Sequence, residues 1–116
     1  MSDKPLFRLG SSRSDLKAFP RDARRVAGFQ LRRVQQGLEP NDWKPMPAVG
    51  PGVREIRIHT GLEHRVFYVA RFTEGVYVLH AFEKRARKTA KRELELARDR
   101  FRALVMKRRT ESSKER

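Results

Sequence analysis

The stretch Val76-Tyr77-Val78-Leu79-His80-Ala81-Phe82-Glu83-Lys84-Arg85-Ala86-Arg87-Lys88-Thr89-Ala90-Lys91-Arg92 decides how this chain is read. It begins as an apolar strand that ends at His80-Ala81-Phe82. It then empties into residues 84–92, where six of nine are Lys or Arg and none is acidic. A helix follows. Cations near a helix N-terminus oppose the macrodipole, so they do little for stability there. A strand that sets such a run in place is suited to holding a polyanion.

Working outward, His64 to Thr73 is a second β-rich run, separated from Val76 by Glu74-Gly75. Read as a two-residue hairpin turn, that pair sets Thr73 opposite Val76, Arg71 opposite Val78, Val69 opposite His80 and Phe67 opposite Phe82. Side chains alternate between faces. Arg65, Phe67, Val69, Arg71, Val78, His80 and Phe82 then share one face, and Val66, Tyr68, Ala70, Phe72, Tyr77, Leu79 and Ala81 the other. A third run, Val53 to His59, precedes a loop around Thr60-Gly61-Leu62-Glu63. A loop of three or five residues puts Ile56 and Ile58 on the Tyr68 face, whereas four strands them among arginines. Each misplaced Ile would forfeit roughly 1.5–3 kcal/mol, so an odd loop is expected. The sheet then offers one apolar face for helices. Its other face carries Arg57, His59, Arg65, Arg71 and His80 near Phe67 and Phe82.

The flanks supply the helices. Pro5 to Leu9 reads as an edge strand, and Ser12 with Asp15 as a capping box opening a short helix over Arg13 to Phe19. After Pro20, the residues Ala23, Ala27, Leu31, Val34 and Leu38, widened by Val26, form one face of a helix ending near Gly37. Its arginines (Arg24, Arg25, Arg32, Arg33) read as a solvated face. Glu39 to Gly52, with four prolines, reads as loop, with Trp43 and Met46 pinning it to the core. Leu94, Ala97, Phe101 and Leu104 or Val105 form the stripe of a last helix from about Thr89 to Lys107. The class is α+β: an antiparallel sheet of three to four strands, two N-terminal helices and one C-terminal helix. Residues 1–109 read as one domain, and 110–116 as a basic, disordered tail.

Composition narrows the partner. The 116 residues carry 28 basic and 14 acidic side chains, a net charge of +14. That favours nucleic acid, an anionic membrane or an acidic protein over a neutral small-molecule substrate. No apolar run is long enough to span a membrane, and the N-terminus leads into no signal-like stretch. With no cysteine there is no disulfide framework, which fits the cytoplasm. His59, His64 and His80 lack metal-ligand spacing, so neither metal nor small-molecule cofactor is expected. His59 and His64, flanking a turn, read as solvent residues. Arg65, in mid-strand, needs a partner: Glu55, Glu83 or a phosphate.

RNA cleavage needs a base for the ribose 2′-OH, cations for the charge gathering on phosphorus, and an acid for the leaving 5′-oxygen. The order of elements now assembled comes with Ser11-Ser12-Arg13-Ser14-Asp15-Leu16, Trp43-Lys44-Pro45-Met46, Val53-Arg54-Glu55-Ile56-Arg57-Ile58, Arg65-Val66-Phe67-Tyr68 and Val78 to Lys84 leading to Lys88-Thr89-Ala90-Lys91. Together these resemble the phage-related branch of the RelE/HigB toxins of type II toxin–antitoxin systems, up to about Leu104. The resemblance implies a small RelE-like domain and a cytoplasmic toxin. Such a toxin is a metal-independent, ribosome-dependent endoribonuclease (an mRNA interferase) that cuts the A-site codon and inhibits translation. Its implied partners are mRNA, the ribosome and a HigA-like helix-turn-helix antitoxin. The family's strand cations match Arg57 and Arg65, and its cation after the last strand matches Lys84.

On this reading Arg65 and Lys84 hold the scissile phosphate and His80 is the base. Arg57 orients the RNA, Phe82 stacks a base, and Arg85, Arg87, Lys88 and Lys91 follow the backbone. Arg65→Ala with Lys84→Ala should then abolish activity with the fold intact. One departure stands out: the family places a Tyr or an Asp/His group near the C-terminus, and nothing after Val105 here is Tyr or His. The alternative is a basic RNA- or ribosome-binding module of the same fold, without catalysis.

Overall fold

The computed structural model describes residues 3–114. Met1 and Ser2, part of the N-terminus read for a signal, and Glu115 and Arg116, the end of the basic tail, lie outside the described residues. The elements are β1 (Leu6–Arg8), α1 (Ser12–Lys17), α2 (Arg21–Gln35), β2 (Trp43–Pro45), β3 (Val53–His59), β4 (Glu63–Val69), β5 (Val76–Glu83) and α3 (Lys91–Lys114). The architecture is α+β, with a sheet ordered β1-β5-β4-β3-β2. The three long strands are antiparallel, β1 joins β5 in parallel, and β2 joins β3 antiparallel. Strand β2 arises inside the proline-bearing segment expected to be loop. Pro45 fits there because an edge strand need not donate every N–H.

The β3–β4 loop has three residues, as burial of the isoleucines requires. His59 pairs with Glu63, Ile58 with His64 and Ile56 with Val66. Gly61 supplies the left-handed residue of this turn at φ +97°.

The β4–β5 register differs from the one expected. Phe67, not Val69, lies opposite His80: Phe67 pairs with His80, Arg65 with Phe82 and Tyr68 with Val78. Leu79 is therefore an extra residue, a bulge that reverses the face of everything before it. Tyr77, Leu79 and Phe72 lie on the α3 side, and Val78 on the side of α1 and α2. Strand β4 ends at Val69, so Arg71 lies beyond the sheet and is exposed. The bulge is secured from α3: Arg100 donates to the Leu79 carbonyl at 2.9 Å and to Ser11 Oγ at 2.8 Å. One guanidinium thus satisfies a carbonyl the ladder cannot.

Both sheet faces are covered. Ile56, Ile58, Val66, Tyr68, Val78 and Ala81 pack under Leu16 and Phe19 and under Ala23, Ala27, Leu31 and Val34 of α2. On the other face, Phe67, Val69, Leu79 and Phe82 pack under Ala97, Phe101 and Leu104 of α3. The face expected to be open and polar is thus half apolar and roofed. An amphipathic helix needs an apolar surface, and that surface is here. Two smaller expectations change. Ser11, not Ser12, bonds Asp15, at 2.7 Å, and Leu38 is exposed beyond the end of α2. Helix α3 runs to Lys114, past the predicted stop near Lys107. No helix among the described residues is long and apolar enough to cross a membrane.

Candidate functional site

Where α3 leaves the sheet uncovered, strand register lays out charged side chains in rows. Glu55, Phe67 and His80 form one row, and Arg57, Arg65 and Phe82 the next. His59 and Glu63 form the third, extended by Lys84, whose N–H donates to the Glu63 carbonyl at 2.7 Å. Alternation sends all of these to the α3 side. Of the face expected to carry Arg57, His59, Arg65, Arg71 and His80 near Phe67 and Phe82, all but Arg71 share it.

The centre of this grid is Glu55, which is 1% exposed. Arg57 Nε lies 3.5 Å from its Oε1, Arg65 Nε 3.7 Å and Lys44 Nζ 3.9 Å. A buried carboxylate is tolerable only when cations surround it. Arg65, 7% exposed, also donates from Nη1 to Glu63 Oε1 at 3.1 Å and to the His64 carbonyl at 3.0 Å. Its partners are therefore Glu55 and Glu63, not Glu83. Removing Arg65 would leave Glu55 short of its most buried cation, so Arg65→Ala also strikes at stability.

His59 is exposed, as expected of a solvent residue, but both of its ring nitrogens are engaged. Its Nδ1 lies 2.6 Å from Glu63 Oε1 and its Nε2 2.7 Å from Asp42 Oδ2. The Asp42 bond raises the imidazole above its ordinary range, against the effect of burial and with help from Glu63. Burial works against ionisation of Glu63, yet Arg65 and His59 hold its carboxyl below the usual range. Only the meeting of Asp42, in the bend before β2, with His59 of β3 and Glu63 of β4 makes this clamp, which no local motif announces.

Around the far end of β5, residues from α1, β4, β5 and the start of α3 enclose a cleft of about 470 Å³. His64 lines it, is 1% exposed and sits 4.4 Å from the Phe19 ring. It too was expected in solvent. Burial pushes its imidazole down. His80 lines the cleft from the α3 side at 4% exposure, with Nε2 3.1 Å from Glu93 Oε1. Among the described residues, neither His64 Nδ1 nor His80 Nδ1 has a hydrogen-bond partner. The Phe82 ring stacks on His80 at 5.1 Å and meets Phe67 edge-on at 5.2 Å. It is 8% exposed. This corrects the expectation that Phe82 offers a free stacking surface, because the apolar residues of α3 need it as core.

The cationic run rims the cleft. Among the described residues, Lys84, Arg87, Lys88 and Arg92 have no carboxylate within ion-pair distance, whereas Arg85 pairs with Glu83 at 3.0 Å and Lys91 with Glu95 at 3.7 Å. The acids of the cleft are engaged: Asp15 by Ser11, Glu83 by Arg85 and Glu93 by His80. Lys84 belongs both to the cleft wall and, by register, to the grid beside Glu63. The structure thus brings Arg57, Arg65, Lys84 and His80 to one end of the sheet, and leaves Arg85, Arg87, Lys88 and Lys91 as an exposed strip leading away.

No curated protein matches the chain. A family model does: that of Phage derived protein Gp49-like (DUF891), over residues 14–102. The match takes in most of α1, all of α2, the whole run from β2 to β5 and the first half of α3, and so both the grid and the cleft. The chain therefore belongs to the phage-derived Gp49-like family.

Proposed function

We propose that this protein is the toxin of a type II toxin–antitoxin pair, acting in the cytoplasm as a ribosome-dependent mRNA endonuclease. The observation that carries the reading is the meeting at Lys84 of a charged grid and a cationic run in which, among the described residues, Lys84, Arg87, Lys88 and Arg92 have no carboxylate partner while Arg85 and Lys91 do. Unpaired cations in a row are what a phosphate backbone rewards. In the reaction, the 2′-OH of one nucleotide attacks the adjacent phosphorus and the 5′-oxygen of the next leaves, taking its proton from water. Lys84 neutralises the charge that develops on the phosphoryl oxygens. Arg57 orients the chain beside it, and Arg65 acts through the Glu55 network. His80 takes the 2′-proton. With Nε2–H donating to Glu93, its Nδ1 keeps a lone pair without a partner among the described residues. A helix-turn-helix antitoxin is the proposed protein partner.

The test is in vitro translation with mRNA 5′ ends mapped by primer extension, with and without ribosomes. Cuts at A-site codons that need ribosomes, lost in Lys84→Ala, are expected. Cuts on free RNA would remove the ribosome from the reading, and unblocked translation would sink it. One observation favours a second reading, a module that binds without cutting: His80 is recessed at 4% exposure. Blocked translation without new RNA ends would select it.

A further inference from the structure

The cleft at the end of β5 holds more than the chemistry above uses. Strand β1 covers β5 only from Val76 to Val78. Beyond the Leu79 bulge no strand among the described residues pairs with the outer edge of β5, and residues 80–83 of that strand line the cleft. His64 reaches this cleft from β4, buried under Phe19, with an Nδ1 that has no hydrogen-bond partner among the described residues. A buried polar atom without a partner is uncommon and costly, and at a cleft wall it calls for an outside partner. Burial keeps this imidazole neutral near pH 7, so it offers a directional hydrogen bond and not a charge. Lys84, Lys88 and Arg92 line the same cleft with no carboxylate in ion-pair range among the described residues.

We infer that this cleft is a nucleotide subsite: it holds one unpaired base of single-stranded RNA on His64 and Phe19, with the base's phosphate on Lys84, Lys88 and Arg92. This rests on the RNA reading above and adds to it the element that selects sequence. The volume of about 470 Å³ accommodates a mononucleotide. The chemistry separates a base from a bare anion. Inorganic phosphate would use the three cations and leave His64 untouched. A base carries donors and acceptors on its edge and a flat face for the apolar wall. Lys84, shared with the grid, joins the two: the base sits in the cleft and its neighbouring phosphate at the grid.

The test uses the full chain, titrated calorimetrically with the four nucleoside 5′-monophosphates and with inorganic phosphate. Imidazole ¹⁵N shifts are followed by NMR. At least one nucleotide should bind more tightly than phosphate and move the His64 Nδ1 resonance. His64→Phe keeps the ring and removes the nitrogen, and should weaken that nucleotide about tenfold, the worth of one buried hydrogen bond. Phosphate should bind as before. If all four nucleotides bind no better than phosphate, or bind with Nδ1 unmoved in the wild type, the subsite is overturned. Should His64→Phe fail to fold, His64→Gln and the wild-type spectra still decide. Nucleotide binding of this kind in a protein that leaves translation unblocked would uphold the subsite and sink the toxin. Ribosome-dependent cuts without base binding would do the reverse.

Discussion

Glu55→Gln is the most informative single perturbation, because it removes one charge and almost no volume. Glu55 is 1% exposed and has three cations at 3.5–3.9 Å. Breaking a buried ion pair costs roughly 3–5 kcal/mol, since the abandoned charge stays desolvated. Here Arg57 and Lys44 have side chains 36% and 43% exposed and can turn to water. Arg65 cannot, at 8%, but it keeps Glu63 at 3.1 Å. The cost should fall at the low end, about 3 kcal/mol. For a chain of this size that lowers the melting temperature by roughly 12 °C. Urea unfolding would measure it, with Arg65→Met and the double variant completing a cycle. Coupling of at least about 1.5 kcal/mol is expected for neighbours in one network. A loss under about 1 kcal/mol, with the two changes additive, would refute the claim that Glu55 anchors Arg65. It would return Arg65 to the role of a free phosphate ligand.

Other outcomes follow from the same geometry. Lys84→Ala and Lys88→Ala should change stability by less than about 0.5 kcal/mol, while each lowers the salt slope of single-stranded RNA binding by about 0.7; filter binding across salt concentrations would read it. His64, lowered by burial, should cost stability as pH falls below about 6.5, where the unfolded chain takes up a proton that the folded chain refuses. His59, raised by Asp42, contributes stability below about 6.5 that is lost as pH rises through its folded value. Unfolding at pH 7.5 and 5.0 should therefore show a smaller loss on acidification in His64→Phe than in the wild type. Gly50→Ala would drive a Cβ into the Phe101 ring and should destabilise by about 1–3 kcal/mol, measurable by thermal melting.

The contrast between the two hairpins explains what was legible in the sequence. At β3–β4, burial of Ile56 and Ile58 allowed only odd loops, and the register followed. At β4–β5, Glu74-Gly75 looked like a turn, but Gly75 is not at positive φ. It is glycine because a Cβ there would overlap the Phe7 ring. The turn inference failed because close packing, not backbone hand, required the glycine. The Leu79 bulge then changed the faces, and its anchor, Arg100, lies 21 residues downstream. The apolar stripe of α3 was visible, but the surface it covers became apparent only with the bulge in place. Of the site, the cations and His80 were readable as strand and post-strand positions. The Asp42–His59–Glu63 clamp and the burial of His64 depend on contacts between elements and carried no local signature.

The parallel pairing of Leu6 with Val76 joins the first strand to one made 70 residues later. During synthesis from the N-terminus, β1 has no partner until nearly the whole sheet has emerged. The segment Leu6–Arg8 must therefore wait while β3, β4 and β5 find one another. Until it docks, residues 76–78 present an open sheet edge that another chain could occupy. Slow docking of β1 should thus govern how much newly made protein reaches the native state. Truncating the first nine residues should leave the three-stranded core able to form and raise its tendency to pair between molecules.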